Sequence, residues 1–427
     1  MAVTPRSASA ATGSKRAAKS KTASAPAAAP KAAAPKAAGP KTAGSRTTTG
    51  LKSAARSGTL GADLGLSTDD LLEMYRLVAL ARAVDERMWI LNRAGRIPFV
   101  ISGQGHEGAQ VGVTWALEKG KDWIAPFYRS IATCLTFGMS PRDIMTAQYA
   151  TASDPSSGGR QMPGHYGSHA HNLVSVSSPV ATQLLHAVGL ALAAKIRKTG
   201  QVALTIMGEG SSNQGDVHEG LNFAAIHKLP FIFIVENNGY AISVPLARQV
   251  AGSSVAGRAA GYGIPGTTVD GSDVLACYAA AREAVDRARA GDGPSLIECK
   301  VTRLTGHSSD DQQTKYRTEE ELAADRSLDP VPKFREQLVK AGILTPDAEA
   351  TIEASIKDAV HDATEYAESQ PDPQPSTAMR WVYAEDWPSE VPPAWGLGEG
   401  SGDGSGQTDE ASGSTDQESG PIAESAR

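Results

Sequence analysis

Glu209 is a lone carboxylate set between Gly208 and Gly210, and twenty-six residues beyond that triplet the chain offers the amide oxygens of Asn237-Asn238. Glycines on both sides let a phosphate approach the backbone closely. One carboxylate, the Asn238 oxygen and a nearby carbonyl suit a magnesium ion that keeps a diphosphate as its other ligand. The stretch 210–215 would add backbone N–H groups for the phosphates at a helix N-terminus. Taken singly, Gly-acid-Gly and Asn-Asn are also plain turns. Arg129 follows Trp123-Ile124-Ala125-Pro126-Phe127-Tyr128, where an arginine alone would as readily pair with a surface carboxylate. His307 stands in the polar segment Thr302-Arg303-Leu304-Thr305-Gly306-His307-Ser308-Ser309-Asp310-Asp311, where a lone histidine is most simply solvated. His106, in Gly105-His106-Glu107-Gly108, reads as an ordinary turn histidine.

Some set of elements must bring Glu209 and Asn238 together. Residues 202–207 are a short apolar run stopped by glycine, which predicts a strand. Leu221, Phe223, Ala224, Ala225 and Ile226 then recur at helical spacing until Lys228-Leu229-Pro230 ends the helix. Residues 231–235 are apolar at every position, as in a strand buried on both faces. The three make a parallel βαβ unit, and such units bind ligands at the carboxyl ends of their strands, where Glu209 and Asn238 stand. Upstream, Ser67 or Thr68 can cap a helix through Leu71, Tyr75, Val78 and Met88, and Ser177 to Gln183 reads as the capped start of another. Downstream, 295–301 predicts a strand leading into the His307 loop. Thr318 with Glu319, Glu320 and Glu321 caps a helix with acids suited to its dipole, and helices follow at about 330–342 and 346–368.

Composition fits a globular protein: 41% of residues are hydrophobic, yet no apolar run approaches the length of a membrane span. Cys134, Cys277 and Cys299 are far apart in apolar contexts, which reads as buried free thiols in a reducing compartment. The net charge of −6 is uneven, because residues 1–56 carry eleven Lys or Arg and no acid, leaving 30 bases against 47 acids elsewhere. That Ala/Pro/Lys-rich stretch cannot bury enough apolar surface to offset its ordering entropy, and neither can the Gly/Ser-rich acidic stretch from Gly396 onward. The expected organisation is a disordered basic tail at 1–60, a folded unit at 61–395 and a disordered acidic tail at 396–427. A basic tether for an acidic partner is one reading of the first tail, and a plain solvated extension is the other. Its prolines and its seven lysines against four arginines argue against a transit peptide. Neither membrane nor nucleic acid is expected as a partner.

Spaced across a βαβ unit, the Gly208-Glu209-Gly210 and Asn237-Asn238 words resemble the thiamine diphosphate motif of thiamine-dependent enzymes, whose usual form has Asp where this chain has Glu209. The flanking words are Gly159-Arg160-Gln161-Met162-Pro163-Gly164-His165-Tyr166-Gly167, Ser177-Ser178-Pro179-Val180-Ala181-Thr182-Gln183 and Gly239-Tyr240-Ala241-Ile242-Ser243. With these, and with Val269-Asp270-Gly271 further on, the chain is similar to the α subunits of branched-chain 2-oxo acid dehydrogenases over roughly 66–396.

The resemblance implies an α/β thiamine diphosphate-binding fold, a mostly parallel sheet flanked by helices with added helices at both ends. It implies decarboxylation of a branched-chain 2-oxo acid, followed by acyl transfer to a lipoyl group on a separate transacylase. Glu209, Asn238 and the Tyr240 carbonyl would hold magnesium; Gly208, Gly210, Ser211, Tyr128 and Arg129 the diphosphate; Ser178 and Val180 the aminopyrimidine. His307 would be the active-site histidine, in a loop that orders on cofactor binding and places Ser308 where mitochondrial relatives are phosphorylated. Phe99 and Val180 would line an apolar substrate pocket, and Ser177, Pro179, Thr182 and Gln183 a potassium site. Glu236 departs from relatives that place a phosphate-contacting Arg there, which shifts the phosphate charge onto Arg129 and magnesium. The matched length makes one diphosphate-binding domain and leaves no room for the pyrimidine-binding one. A β subunit, most simply in an α2β2 assembly, would therefore complete the active site. Pyruvate or acetoin dehydrogenase α subunits are the alternatives among enzymes, and a non-catalytic thiamine-binding assembly subunit is the alternative of a different class.

Overall fold

The computed structural model describes residues 60–380 and Val382, so 1–59 and the acidic stretch 396–427 lie outside the described residues, and the disorder expected of them with them. Apolar runs become strands and amphipathic stretches become helices. The first helix, α1 (Thr68–Arg93), starts where expected: the Ser67 hydroxyl accepts from the Asp70 N–H, and the Asp70 carboxylate accepts from the Ser67 N–H in return. There follow α2 (Glu107–Trp115), β1 (Trp123–Ala125), α3 (Ile131–Phe137), α4 (Pro141–Gln148) and α5 (Thr182–Arg197). Next come the predicted strand, β2 (Ala203–Gly208), the helix α6 (Gly215–Ile226) and β3 (Phe231–Asn237). A short antiparallel pair, β4 (Tyr240–Ala241) and β5 (Val244–Pro245), precedes β6 (Gly266–Asp270), α7 (Val274–Arg289) and β7 (Ser295–Lys300). Three helices close the described chain: α8 (Glu319–Arg326), again with a reciprocal cap between Thr318 and Glu321, α9 (Pro330–Lys340) and α10 (Pro346–Ser369).

The main sheet has the order β1-β2-β3-β7-β6, and every pair in it is parallel. Each crossover must therefore cover a face of the sheet, and both faces are apolar. Along β3, Ile232 and Ile234 join the larger core, with residues of α1 to α4, α7, α9 and α10. Phe231, Phe233 and Val235 enter a second core with α5, α6 and residues 256–262. This is why β3 carries no polar residue until Glu236.

One local expectation fails. The start of α5 has no side-chain cap: its first flanking residue is Ala181, in the left-handed region at φ 76°. The hydroxyls that would have capped it are engaged elsewhere, Ser177 donating to the Pro179 carbonyl at 2.8 Å and Ser178 bonding the His165 ring at 2.8 Å.

Candidate active site

The register of the sheet sets Gly208 of β2 beside Glu236 of β3, so both chains leave the sheet side by side. Glu209 and Asn238 emerge there, and the Asn238 N–H donates to the Glu209 carboxylate at 3.3 Å. Around them is a cavity of about 300 Å³ lined by Phe127, Tyr128, Arg129, Val180, Gly208, Glu209, Gly210, Ser211, Asn238, Tyr240, Ala241, Ile242 and His307. Residues up to 180 positions apart thus meet over the end of one βαβ unit.

Glu209 is buried, with Gln249 Nε2 at 3.4 Å from its second oxygen. Burial pushes its carboxyl above the ordinary range, since no full positive charge touches it. On the opposite wall Arg129 is 2% exposed, its guanidinium donating to the Ser102 carbonyl at 2.5 Å and lying 3.2 Å from His307 Nδ1. Burial, with the Arg129 and Arg303 charges, lowers His307 to about 4, which makes it a neutral imidazole at pH 7. Its backbone is held by Asp311, whose carboxylate accepts from the His307 N–H at 2.6 Å and from the Tyr316 hydroxyl at 2.5 Å. Arg303, 1% exposed, donates to that same hydroxyl at 2.6 Å and to the Ile242 carbonyl at 3.0 Å. Among the described residues neither Arg129 nor Arg303 forms an ion pair with a carboxylate, and Arg303 Nε is buried without a partner.

A buried guanidinium, Arg129, and a buried carboxylate, Glu209, that line one cavity without pairing are expensive unless a ligand supplies the missing charges, and Arg303 adds a second buried positive charge just behind the lining. A diphosphate against Arg129, with a divalent cation against Glu209, fits that donor set. No three His, Cys, Asp or Glu side chains cluster as a metal site among the described residues, so a magnesium here would need oxygens from its anion. Gly210 keeps the turn tight: a Cβ on it would stand 2.6 Å from that of Ala241 in β4. The N–H groups of Ser212, Asn213 and Gln214 close their own turn, on the carbonyls of Glu209, Gly210 and Ser211. Of the stretch 210–215, Gly210 and Ser211 line the cavity.

Other candidates fall outside it. Ser178 is exposed and held by His165. Phe99 is half-buried and is not among the residues lining the cavity; its neighbour Val100 bonds Ser309, in the His307 loop, through both N–H and carbonyl. Ser308 is buried at 8% exposure. Of the potassium candidates, Ser177 and Pro179 meet, Thr182 opens α5, and Gln183 donates to the Ile206 carbonyl while its Oε1 is buried without a partner.

Sequence reasoning missed Arg303 and misread His106. His106 is fully buried, its Nδ1 2.5 Å from Glu236, and burial lowers its pKa despite that carboxylate. Glu236 likewise faces inward, away from the cavity. Only the unusual acid at the end of an apolar strand signalled it.

A family model described as dehydrogenase E1 component matches residues 75–376. The 2-oxoisovalerate dehydrogenase subunit alpha of Bacillus subtilis is 51% identical over 322 residues, covering 75% of this chain and 98% of that protein. The 3-methyl-2-oxobutanoate dehydrogenase subunit alpha of Mycobacterium tuberculosis is 38% identical over 323 residues, 76% of this chain and 85% of that protein. The human mitochondrial 2-oxoisovalerate dehydrogenase subunit alpha is 38% identical over 325 residues, 76% and 72% respectively. The chain belongs to the dehydrogenase E1 component family.

Proposed function

We propose that this chain is the α subunit of a branched-chain 2-oxo acid dehydrogenase, which decarboxylates the oxo acid and passes the acyl group to a lipoyl group on a separate transacylase. Family membership implies thiamine diphosphate. The observation that carries the reading is the cavity at the ends of β2 and β3, where Glu209 and Asn238 face Tyr128, Arg129 and His307. The substrate class rests on relatives named for 2-oxoisovalerate and 3-methyl-2-oxobutanoate.

When bound, thiamine diphosphate supplies the carbanion chemistry that releases carbon dioxide from a 2-oxo acid. The chain's residues bind and orient it. Glu209, Asn238 and the Tyr240 carbonyl would hold magnesium, and Arg129 would give the phosphates a forked, permanent positive charge. Gly210 and Ser211 let those phosphates approach the backbone. His307, kept neutral between two guanidiniums, can accept or donate a proton at the reacting end. Val180 would line the pocket for the cofactor ring and substrate, with Ser178 and Phe99 at its margin. The buried, unpartnered Gln183 Oε1, with the oxygens of Ser177, Pro179 and Thr182, supports a potassium ion.

The relatives' designation as alpha subunits supports a β partner, and an α2β2 assembly is the simplest arrangement. Ile196 and Ile226, 70% and 68% exposed at the ends of α5 and α6, are apolar surface of the kind that subunit contacts cover. Among the described residues no helix is long and apolar enough to cross a membrane, and the proposed location is the bacterial cytoplasm.

The test is decarboxylation of 3-methyl-2-oxobutanoate and pyruvate by the purified chain, with and without a candidate β subunit, in the presence of thiamine diphosphate and magnesium. Turnover that requires the partner and is faster on the branched acid is expected. Faster pyruvate turnover would move the assignment to a pyruvate dehydrogenase, and turnover by the lone chain would remove the shared site.

A further inference from the structure

Behind the cavity lies a buried polar cluster to which the proposed chemistry assigns no part. Glu236 is 0% exposed near the end of β3, and its Oε2 is reached by His106 Nδ1 at 2.5 Å and by Gln110 Nε2 at 3.2 Å. His106 is 0% exposed at the entry to α2, and its other nitrogen, Nε2, lies 3.4 Å from Asn238 Nδ2. The Asn238 Oδ1 accepts from the Tyr240 N–H at 3.1 Å. The sequence places His106 and Asn238 132 residues apart, so only the fold joins them.

These contacts fix an orientation. A carboxylate only accepts, so the Glu236 contact puts a ring proton of His106 on Nδ1; the Tyr240 N–H holds the Asn238 oxygen on its own side, so the donor-only amide nitrogen faces Nε2, which must therefore accept. Nε2 then takes a hydrogen from the Asn238 amide nitrogen, and the Tyr240 N–H calls for the amide oxygen on the opposite side. Rotating the amide by half a turn would set its oxygen against the Nε2 lone pair and its N–H₂ against another N–H. Both partners therefore select one orientation. The same carboxylate ties in the arginine segment, because Gln110 Nε2 also donates to the Arg129 carbonyl at 3.0 Å, and Gln110 Oε1 accepts from the Ala132 N–H at 3.0 Å.

We propose that His106 and Glu236 are positioning residues which hold the Asn238 amide with its oxygen committed to the magnesium side of the cavity before the cation arrives. The assignment rests on the magnesium and thiamine diphosphate reading above. Outer partners of this kind orient a ligand, and their loss weakens metal binding by about 10–100-fold.

The experiment uses the full chain assembled with its β partner, and follows the rise in thermal midpoint given by saturating thiamine diphosphate as magnesium is titrated. His106→Asn keeps a donor near Nδ1 and removes the Nε2 acceptor; the magnesium concentration at half-effect is expected to rise about 10–100-fold, with the full shift regained at high magnesium. His106→Gln, which can place an acceptor near Nε2, is expected to stay much nearer the native value. In an Asn238→Asp background either face of the side chain offers oxygen, so His106→Asn is expected to leave the half-effect concentration unmoved. A native value for His106→Asn, or an equal shift in the Asn238→Asp background, overturns the positioning role alone. Absence of any magnesium-dependent shift in the native assembly overturns the cofactor reading and this assignment together. If His106→Asn does not assemble, His106→Gln in the two backgrounds decides: a large, equal shift in both overturns the proposal, and near-native values in both support it.

Discussion

His307 stands between two guanidiniums, and its folded pKa of about 4 lies below the unfolded histidine value of about 6.5. The folded state therefore binds fewer protons than the unfolded one across that window, and the stability it contributes is fully present above pH 6.5 and is lost as pH falls toward 4. Since the ring is partly exposed, solvent screening reduces the effect to about 1 kcal/mol between pH 7 and 5. His307→Asn should accordingly lose less stability than the native chain over that range, as denaturant melts at the two pH values would measure. Arg129 tests the other wall. Arg129→Gln removes a charged donor, and calorimetry should find thiamine diphosphate binding weaker by about 1.5–3 kcal/mol. Neither His307 nor Arg129 betrayed its role by type or spacing alone. The resemblance to thiamine-dependent enzymes supplied those roles. Arg303 went unread because nothing local distinguishes an arginine that becomes buried beside Tyr316 from one that stays on the surface.

At the scale of elements, the turn after β2 is where geometry is least forgiving. Gly210→Ala would force a Cβ to 2.6 Å from that of Ala241. It is expected to abolish cofactor binding while circular dichroism still reports a folded sheet, because the clash is confined to the turn and β4. Ser67→Ala, which removes both hydrogen bonds of the α1 cap made by the hydroxyl, should cost about 1 kcal/mol in a denaturant melt without altering cofactor affinity. The βαβ unit was legible because continuous apolar runs ending in glycine or asparagine leave few alternatives to buried parallel strands. The start of α5 was not, because Ser177 and Ser178 spend their hydroxyls on Pro179 and His165, one a local turn and the other a contact between segments. The Val100–Ser309 pairing next to Phe99 is a link across 209 residues that no window of sequence contains.

At the scale of the whole molecule, the described residues place the cavity lined by Glu209, Asn238 and Arg129 at one end of one parallel sheet. A thiamine enzyme also needs an acid at the pyrimidine ring, which under the proposed function comes from a β partner. Binding and turnover are therefore expected to separate. Under the proposed function Glu209, with Asn238, holds the cation through which the diphosphate is bound. Calorimetric titration of thiamine diphosphate into the assembled protein, with and without magnesium, for the native chain and for Glu209→Ala, tests it most directly. Binding in the native protein is expected to require magnesium and to be weakened more than about 100-fold in the variant, since even outer partners of a metal site are worth about 10–100-fold. Native-like affinity in Glu209→Ala, or binding indifferent to magnesium, would contradict it.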